Sequence, residues 1–226
     1  MTATDRTIGV PTFHHFYAFC APGGAIGDRL LSAGLTELPG RRHAGQGTAN
    51  RIFPFRQGFL ELIWIDSLEE VMHPRTAPLG LHDRSRALRS PFGLAVKVPN
   101  FSDLARPPFA GWDYRPLYLS DGGFIWIAAN GDFPGEPMLF SSPFFGDPPG
   151  RQDAPELDKI ELTLAPGPSS ESLKWIRQKA PLWFATMTAA ASPRAVVHLR
   201  ADRRQSVDLG PEIPLRLELW PAIPAH

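Results

Sequence analysis

The chain has 226 residues, 43% of them hydrophobic, enough to bury one large core or two small ones, so a folded globular protein is expected. Lys plus Arg and Asp plus Glu balance at 23 each, which leaves no overall field favouring nucleic acid, an anionic membrane or a strongly acidic partner. One cysteine, Cys20, excludes an internal disulfide framework and a cysteine-rich zinc site, and no segment approaches the roughly 18 apolar residues of a membrane span.

The opening residues, MTATDRTIGVPTF, lack the basic start and long apolar run of a signal peptide, and with the lone cysteine they point to a cytoplasmic protein. Twenty-five prolines and 20 glycines disfavour long helices and point to strands joined by many turns. The first predicted strand is TFHHFYAFCA, residues 12–21. PGGAIGDRLLSAGL then predicts a turn and a helix with Ile26, Leu30 and Ala33 on one face and Gly34 at its end. Beyond the loop RRHAGQGTAN, the segments NRIFPF and GFLELIWI are separated by Arg56 and Gln57, the spacing of a tight antiparallel hairpin. A looser joint follows, in which Leu79 to Leu88 predict a short helix.

The same order then returns. FGLAVKV predicts a strand, NFSDLA a helical start capped by Ser102, WDYRPLYL and GFIWIAA a hairpin, and PMLFS another strand. FFGDPPGRQDAPE reads as a linker. A third pass runs through the strand LDKIELTLA, the helix SSESLKWIRQKA and the strands RAVVHLR, QSVDL and LRLELW. The expected division is a first βαβββ module over 1–66, a connection over 67–90, a second module over 91–146, a linker over 147–155 and a divergent third module over 156–226, giving an α+β protein.

Glu61 stands between Leu60 and Leu62 in the most apolar strand. A buried carboxylate is costly unless satisfied, and a hydrogen bond to Asn50 or an ion pair with Arg51 or Arg56 would satisfy it. His14 and His15 are neighbours on a strand and are expected on opposite faces, so one of them at most can face a given site. In the loop, His43, Gln46, Thr48 and Asn50 offer donors and acceptors to a small polar ligand, and Gly45 and Gly47 allow close backbone approach; alternatively the glycines only turn the chain while Thr48 and Asn50 cap local backbone. Trp64, Trp112, Trp126 and Phe124 are either core or the apolar lining of such a pocket. APGGAIGDR has the wrong glycine spacing for a dinucleotide loop, and no G-x-S-x-G or H-E-x-x-H motif is present. The arginine clusters HDRSRALR and RADRR carry intervening acids and read as solvated faces rather than nucleic-acid contacts, and Cys20 reads as a small core residue.

FHHFYAF, the helix ending AGL, HAGQGTANRIF and GFLELIWI together resemble the glyoxalase-like branch of the vicinal oxygen chelate superfamily, which also holds bleomycin resistance proteins and extradiol dioxygenases. PFGLAVKV and PMLFSSPF carry the resemblance into the second module. It implies repeated βαβββ modules whose curved, open mixed sheets form a cup. It also implies that His15 and Glu61 are metal ligands for a divalent ion such as Zn, Ni, Mn or Fe. Glu61 and His43 would be the catalytic groups, with His43, Gln46, Thr48 and Asn50 on the ligand. At the matching second-module positions stand Phe92 or Gly93 and Met138, which bind no metal; in the third, Lys159 and Glu218 fall there. Two functions follow: a metal-dependent lyase, isomerase or dioxygenase acting on a small molecule with vicinal oxygens, or a metal-free small-ligand-binding or structural protein of the same fold. The resemblance also allows a homodimer, in which subunits complete each other's cups.

Overall fold

Strand alternation decides which side of each segment is covered, and in this protein both faces of the central strands are. The computed structural model describes residues 9–103, 108–119, 122–188 and 192–221. The chain forms β1 (Thr12–Phe19), a 3₁₀ turn (Ala25–Gly27) running into α1 (Asp28–Ser32), β2 (Arg42–His43), β3 (Thr48–Pro54) and β4 (Phe59–Ile65). The joint holds α2 (Leu68–Met72) and α3 (Leu81–Ser85), followed by β5 (Phe92–Lys97), β6 (Gly111–Tyr114), β7 (Ile125–Ala128) and β8 (Met138–Ser141). The helix expected from Ser102 is a 3₁₀ turn, Phe101–Asp103, and its continuation lies outside the described residues. After it come β9 (Glu156–Leu164), α4 (Glu171–Lys179), β10 (Phe184–Thr188), β11 (Arg194–Ala201), β12 (Gln205–Asp208) and β13 (Leu215–Pro221).

The first eight strands form one mixed sheet in the order β2-β3-β4-β1-β5-β8-β7-β6. Its two halves have the same internal order, and they meet where β1 pairs antiparallel with β5. The sheet curls into a half-barrel. Its edge strands are brought together across the mouth, where the Tyr118 hydroxyl, beyond β6, donates to Gln46 Oε1 in the β2–β3 turn at 3.0 Å. The Arg56-Gln57 hairpin forms as expected, with Phe55 N–H donating to the Gly58 carbonyl.

Phe16, Ala18, Leu60, Leu62, Phe92, Leu94 and Val96 point to the convex side, where they join α1, α4 and the second sheet in one apolar core. Tyr17, Phe19, Ile63, Ile125, Ile127, Met138 and Phe140 line the concave side, closed below by Val71, Leu79 and Leu81. Gly93 is required here, because any Cβ would overlap the Tyr17 ring lying on it. Among the described residues no helix is long and apolar enough to cross a membrane.

The second sheet has the order β10-β9-β11-β13-β12. This differs from the order of the two halves of the first sheet, because β9 and β10 pair directly in parallel on either side of α4. β10 was not expected from PLWFATMT, whose Leu182 and Met187 are exposed. Glu136 ties the sheets together by accepting hydrogen bonds from Ser170 N and Oγ at the start of α4.

Candidate functional site

His15 and Glu61 come together at the floor of the cup, with His15 Nε2 3.6 Å from Glu61 Oε2. β1 and β4 run parallel with His15 opposite Phe59 and Tyr17 opposite Glu61, so alternation places His15, Phe59, Glu61 and Ile63 on one face. Asn50 Nδ2 donates to Glu61 Oε1 at 2.6 Å, while Asn50 Oδ1 accepts from Arg41 N–H at 2.7 Å. The arginines turn elsewhere: Arg51 pairs with Glu37 and Asp28, and Arg56 faces Glu156.

The expectation that His14 and His15 lie on opposite faces is corrected. Phe13 pairs with Val96 and His15 with Ala95, so His14 is the extra residue of a β-bulge. The bulge breaks the alternation: Phe13 turns to the convex core, and His14 joins His15 on the cup wall. The two rings meet Nδ1 to Nδ1 at 2.7 Å, and His14 stacks on Phe145 with centroids 4.5 Å apart. Gly58 lies against this bulge, and a side chain there would strike the His14 carbonyl and the Phe13 ring.

The 43–50 loop forms the other flank. His43 Nε2 stands 3.9 Å from Glu61 Oε1, and its Nδ1 is 2.9 Å from Thr48 Oγ1. Thr48 is fully buried behind His43 and is not part of the cavity wall; its hydroxyl also accepts from Gln46 Nε2 at 2.9 Å. Gln46 and Asn50 do face the cavity. Gly45 and Gly47 have positive φ, and Gly45 N–H donates to Glu70 Oε2, so the loop is held from α2.

These groups occupy one pole of a cavity of about 470 Å³, within the size range of small-molecule sites. Much of its remaining wall is apolar, from Ile125, Ile127, Met138, Phe140 and Leu81, with Arg41 and Asp147 as its charged members. The tryptophans and Phe124 considered from sequence do not line it; Trp126 donates to the Phe109 carbonyl on the convex side. The aromatic wall is instead Tyr17, Phe59, Tyr114, Tyr118, Phe144 and Phe145, none of which the sequence singled out. The segment read as a linker contributes Gly146, Asp147 and Pro149 to the wall, and it is fastened to the hairpin by Arg56 N–H donating to the Pro155 carbonyl. Lys159 and Glu218 do not reach the cup: Lys159 pairs with Glu161, and Glu218 with Arg216.

Burial sets the protonation of the site. Desolvation pulls His43 down to about 4, aided by the Arg41 charge, and it pulls His14 to about 4, aided by Lys97. His15 is lowered well below 6.5 by desolvation, with the neighbouring imidazoles adding to it. Desolvation raises Glu61, and the Asn50 hydrogen bond only partly offsets this. The pole therefore presents uncharged imidazoles around a carboxyl that favours keeping its proton. Tyr17, pushed up to about 12 by desolvation, has a buried hydroxyl without a hydrogen-bond partner among the described residues, as has Tyr114.

Two donors about 2.0–2.2 Å from a tetrahedral ion stand about 3.5 Å apart, so His15 Nε2 and Glu61 Oε2 at 3.6 Å have the spacing of two ligands. A third does not join them. Among the described residues no three His, Cys, Asp or Glu side chains are grouped to hold an ion. The other half of the sheet brings Gly93 and Met138 to the cup and turns Phe92 to the core. The donor set thus falls short of the three protein ligands that hold a catalytic ion.

No protein-family model matches the sequence, and no curated protein matches it. The structure is similar to that of a hypothetical protein from Staphylococcus aureus, with 9% identity, a TM-score of 0.59, and coverage of 93% of this chain and 100% of that one. At that identity the likeness concerns the fold alone. A hypothetical protein from Bacillus halodurans C-125 aligns over 58% of this chain and 93% of its own, with 11% identity and a TM-score of 0.41, too low to bear on the fold.

Proposed function

We propose that the chain is a glyoxalase-like protein of βαβββ modules whose cup binds one small organic molecule. The apolar body of that molecule lies against Ile125, Ile127, Met138 and Phe140, and an oxygen function reaches Glu61, His15 and His43, with Gln46 and Asn50 as further contacts. The observation that carries this reading is the grouping of buried imidazoles and a buried carboxyl, whose charged forms burial disfavours, at one pole of a largely apolar cavity. A carboxyl whose protonated form burial favours, beside imidazoles whose neutral forms burial favours, places proton donors and acceptors on one side of a ligand, which is what moving a proton between adjacent carbon and oxygen atoms requires. Glu61 and His43 are the groups proposed to touch the reacting atoms. Both halves of the cup come from one chain, so a homodimer is not needed to complete it.

A second reading is the divalent-metal lyase, isomerase or dioxygenase acting on vicinal oxygens, with His15 and Glu61 as ligands. The 3.6 Å separation of those two groups supports it. Elemental analysis after reconstitution with Zn, Ni, Mn and Fe(II) separates the two. Stoichiometric metal that disappears in His15→Ala favours the metal reading, and its absence from the wild type leaves the metal-free one. Ligand binding is tested by thermal shift with a panel of aromatic and aliphatic hydroxy and carbonyl compounds. A compound that raises Tm in the wild type and not in Ile127→Trp, which fills the cavity, supports the site; equal shifts in both proteins overturn it.

A further inference from the structure

Among the described residues the cavity wall holds one arginine and no lysine, and that arginine is not neutralised from within the chain. We infer that Arg41, at the mouth of the cup, receives a carboxylate of the bound molecule, so that the ligand is a small hydroxy- or oxo-carboxylic acid. This rests on the reading of the cup as a ligand site and names the charge and class of what enters it.

The other arginines of these strands and their hairpin are paired inside the molecule. Arg42 reaches Asp66 and Glu70 at 2.6 Å each, Arg51 holds Glu37 and Asp28, and Arg56 faces Glu156. Arg41 differs from all three. Its side chain makes neither a hydrogen bond nor an ion pair with a described residue, although its backbone N–H is fixed on Asn50 Oδ1. The guanidinium carbon stands 5.4 Å from the centre of the Tyr118 ring, a cation–π position that holds the exposed head at the cavity wall. Tyr118 is itself anchored, through its hydroxyl on Gln46.

The same ring leads from the cation to the polar pole of the cup. Its centre is 5.2 Å from that of the His43 ring, and His43 Nε2 stands 3.9 Å from Glu61 Oε1. A molecule lying along Tyr118 therefore meets Arg41 with one end and His43 with the other, which suits an anionic group and an oxygen function separated by a few bonds. The planar guanidinium offers a carboxylate two parallel N–H donors. Charge count selects a monoanion. Asp147, the acid at the rim of the wall, is taken by Lys97 at 2.7 Å and does not neutralise Arg41. Among the described residues no second guanidinium or ammonium lies in the wall to balance a phosphate dianion.

The experiment is isothermal titration calorimetry on the full, EDTA-treated chain at neutral pH. The probes are lactate, mandelate, phenyllactate and phenylpyruvate, each beside its uncharged methyl ester, with phenyl phosphate as the dianion. At least one acid is expected to bind about ten-fold tighter than its ester, the worth of a charge-assisted hydrogen bond. That advantage should shrink as salt is raised, because Arg41 is exposed. Arg41→Met keeps an unbranched apolar stem on Tyr118 and loses the charge; it should bring the acid down to the affinity of the ester and leave the ester unchanged. Arg41→Lys should restore part of the preference, as a point charge without the fork. Acids that bind no tighter than their esters, a preference that survives Arg41→Met, or phenyl phosphate bound more tightly than every acid overturns the inference. Esters that bind the wild type and not Ile127→Trp, with no gain for the acids, refute the carboxylate and leave the cup reading standing, whereas no binding by any probe overturns both.

Discussion

Mild acid should unfold this protein through its buried imidazoles before its surface carboxylates are protonated. Desolvation brings His14 and His43 from 6.5 to about 4, and it lowers His15 in the same direction. Between those values the unfolded chain binds these protons and the folded one does not, so their contribution is present above 6.5 and is lost as the pH falls toward 4. At ~1.4 kcal/mol per pH unit, the drop from 6.5 to about 4 gives an upper bound of ~3.5 kcal/mol for each of His14 and His43. Two such contributions approach the whole stability of a small domain, roughly 5–15 kcal/mol. Glu61 works in the opposite sense: its folded value is raised above 4.5, so its contribution is present below 4.5 and is lost as the pH rises through the folded value. The assay is urea unfolding of EDTA-treated protein followed by tryptophan fluorescence at closely spaced pH values. His43→Asn keeps a polar atom where Nδ1 bonds Thr48 but removes the titrating ring. Its slope of stability against pH should fall below the wild-type slope by up to ~1.4 kcal/mol per pH unit. A wild-type stability that stays flat between 6.5 and 4.5, or a His43→Asn slope equal to the wild type, would refute the reasoning.

Further outcomes follow from single contacts. Asn50→Ala removes the donor to Glu61 and the acceptor of Arg41 N–H, and should cost about 1–3 kcal/mol in urea unfolding at neutral pH, with the Glu61 carboxyl raised further. Gly93→Val drives side-chain atoms into the Tyr17 ring at the seam of the two half-sheets, and should lower stability by more than ~1–3 kcal/mol, read as a fall in Tm. Glu136→Ala leaves Ser170 N and Oγ without their acceptor, and hydrogen exchange should show faster opening of α4 than of β1. A variant in which both elements exchange at wild-type rates would show that this link does not hold the second sheet.

Much of the candidate site was legible because strand alternation is local. FLELIWI places Glu61 on the face of Phe59 and Ile63 whatever the sheet does, and the 43–50 loop declares its turns through Gly45 and Gly47. Alternation also misled, at His14. A bulge depends on the register between β1 and β5, strands separated by some 70 residues of chain, and nothing in FHHF reports it. Tyr118 shows the same limit from the other end. It follows a short strand in the second half-sheet, yet its hydroxyl bonds Gln46 because the curl brings the two edges together.

The sequence by itself therefore determined the α+β class, most of the segments that become strands of the first sheet, and the common face of Phe59, Glu61 and Ile63 within β4, all consequences of side-chain period within single strands. Only the tertiary structure decided that His15, His14 and His43 meet Glu61, that Thr48 stands behind His43 rather than in the cavity wall, and that the apolar wall comes from β7 and β8 rather than from the tryptophans. Those outcomes depend on which strands pair, in what register and with what curvature. Such long-range terms of the folding free energy leave no mark on the spacing of neighbouring residues.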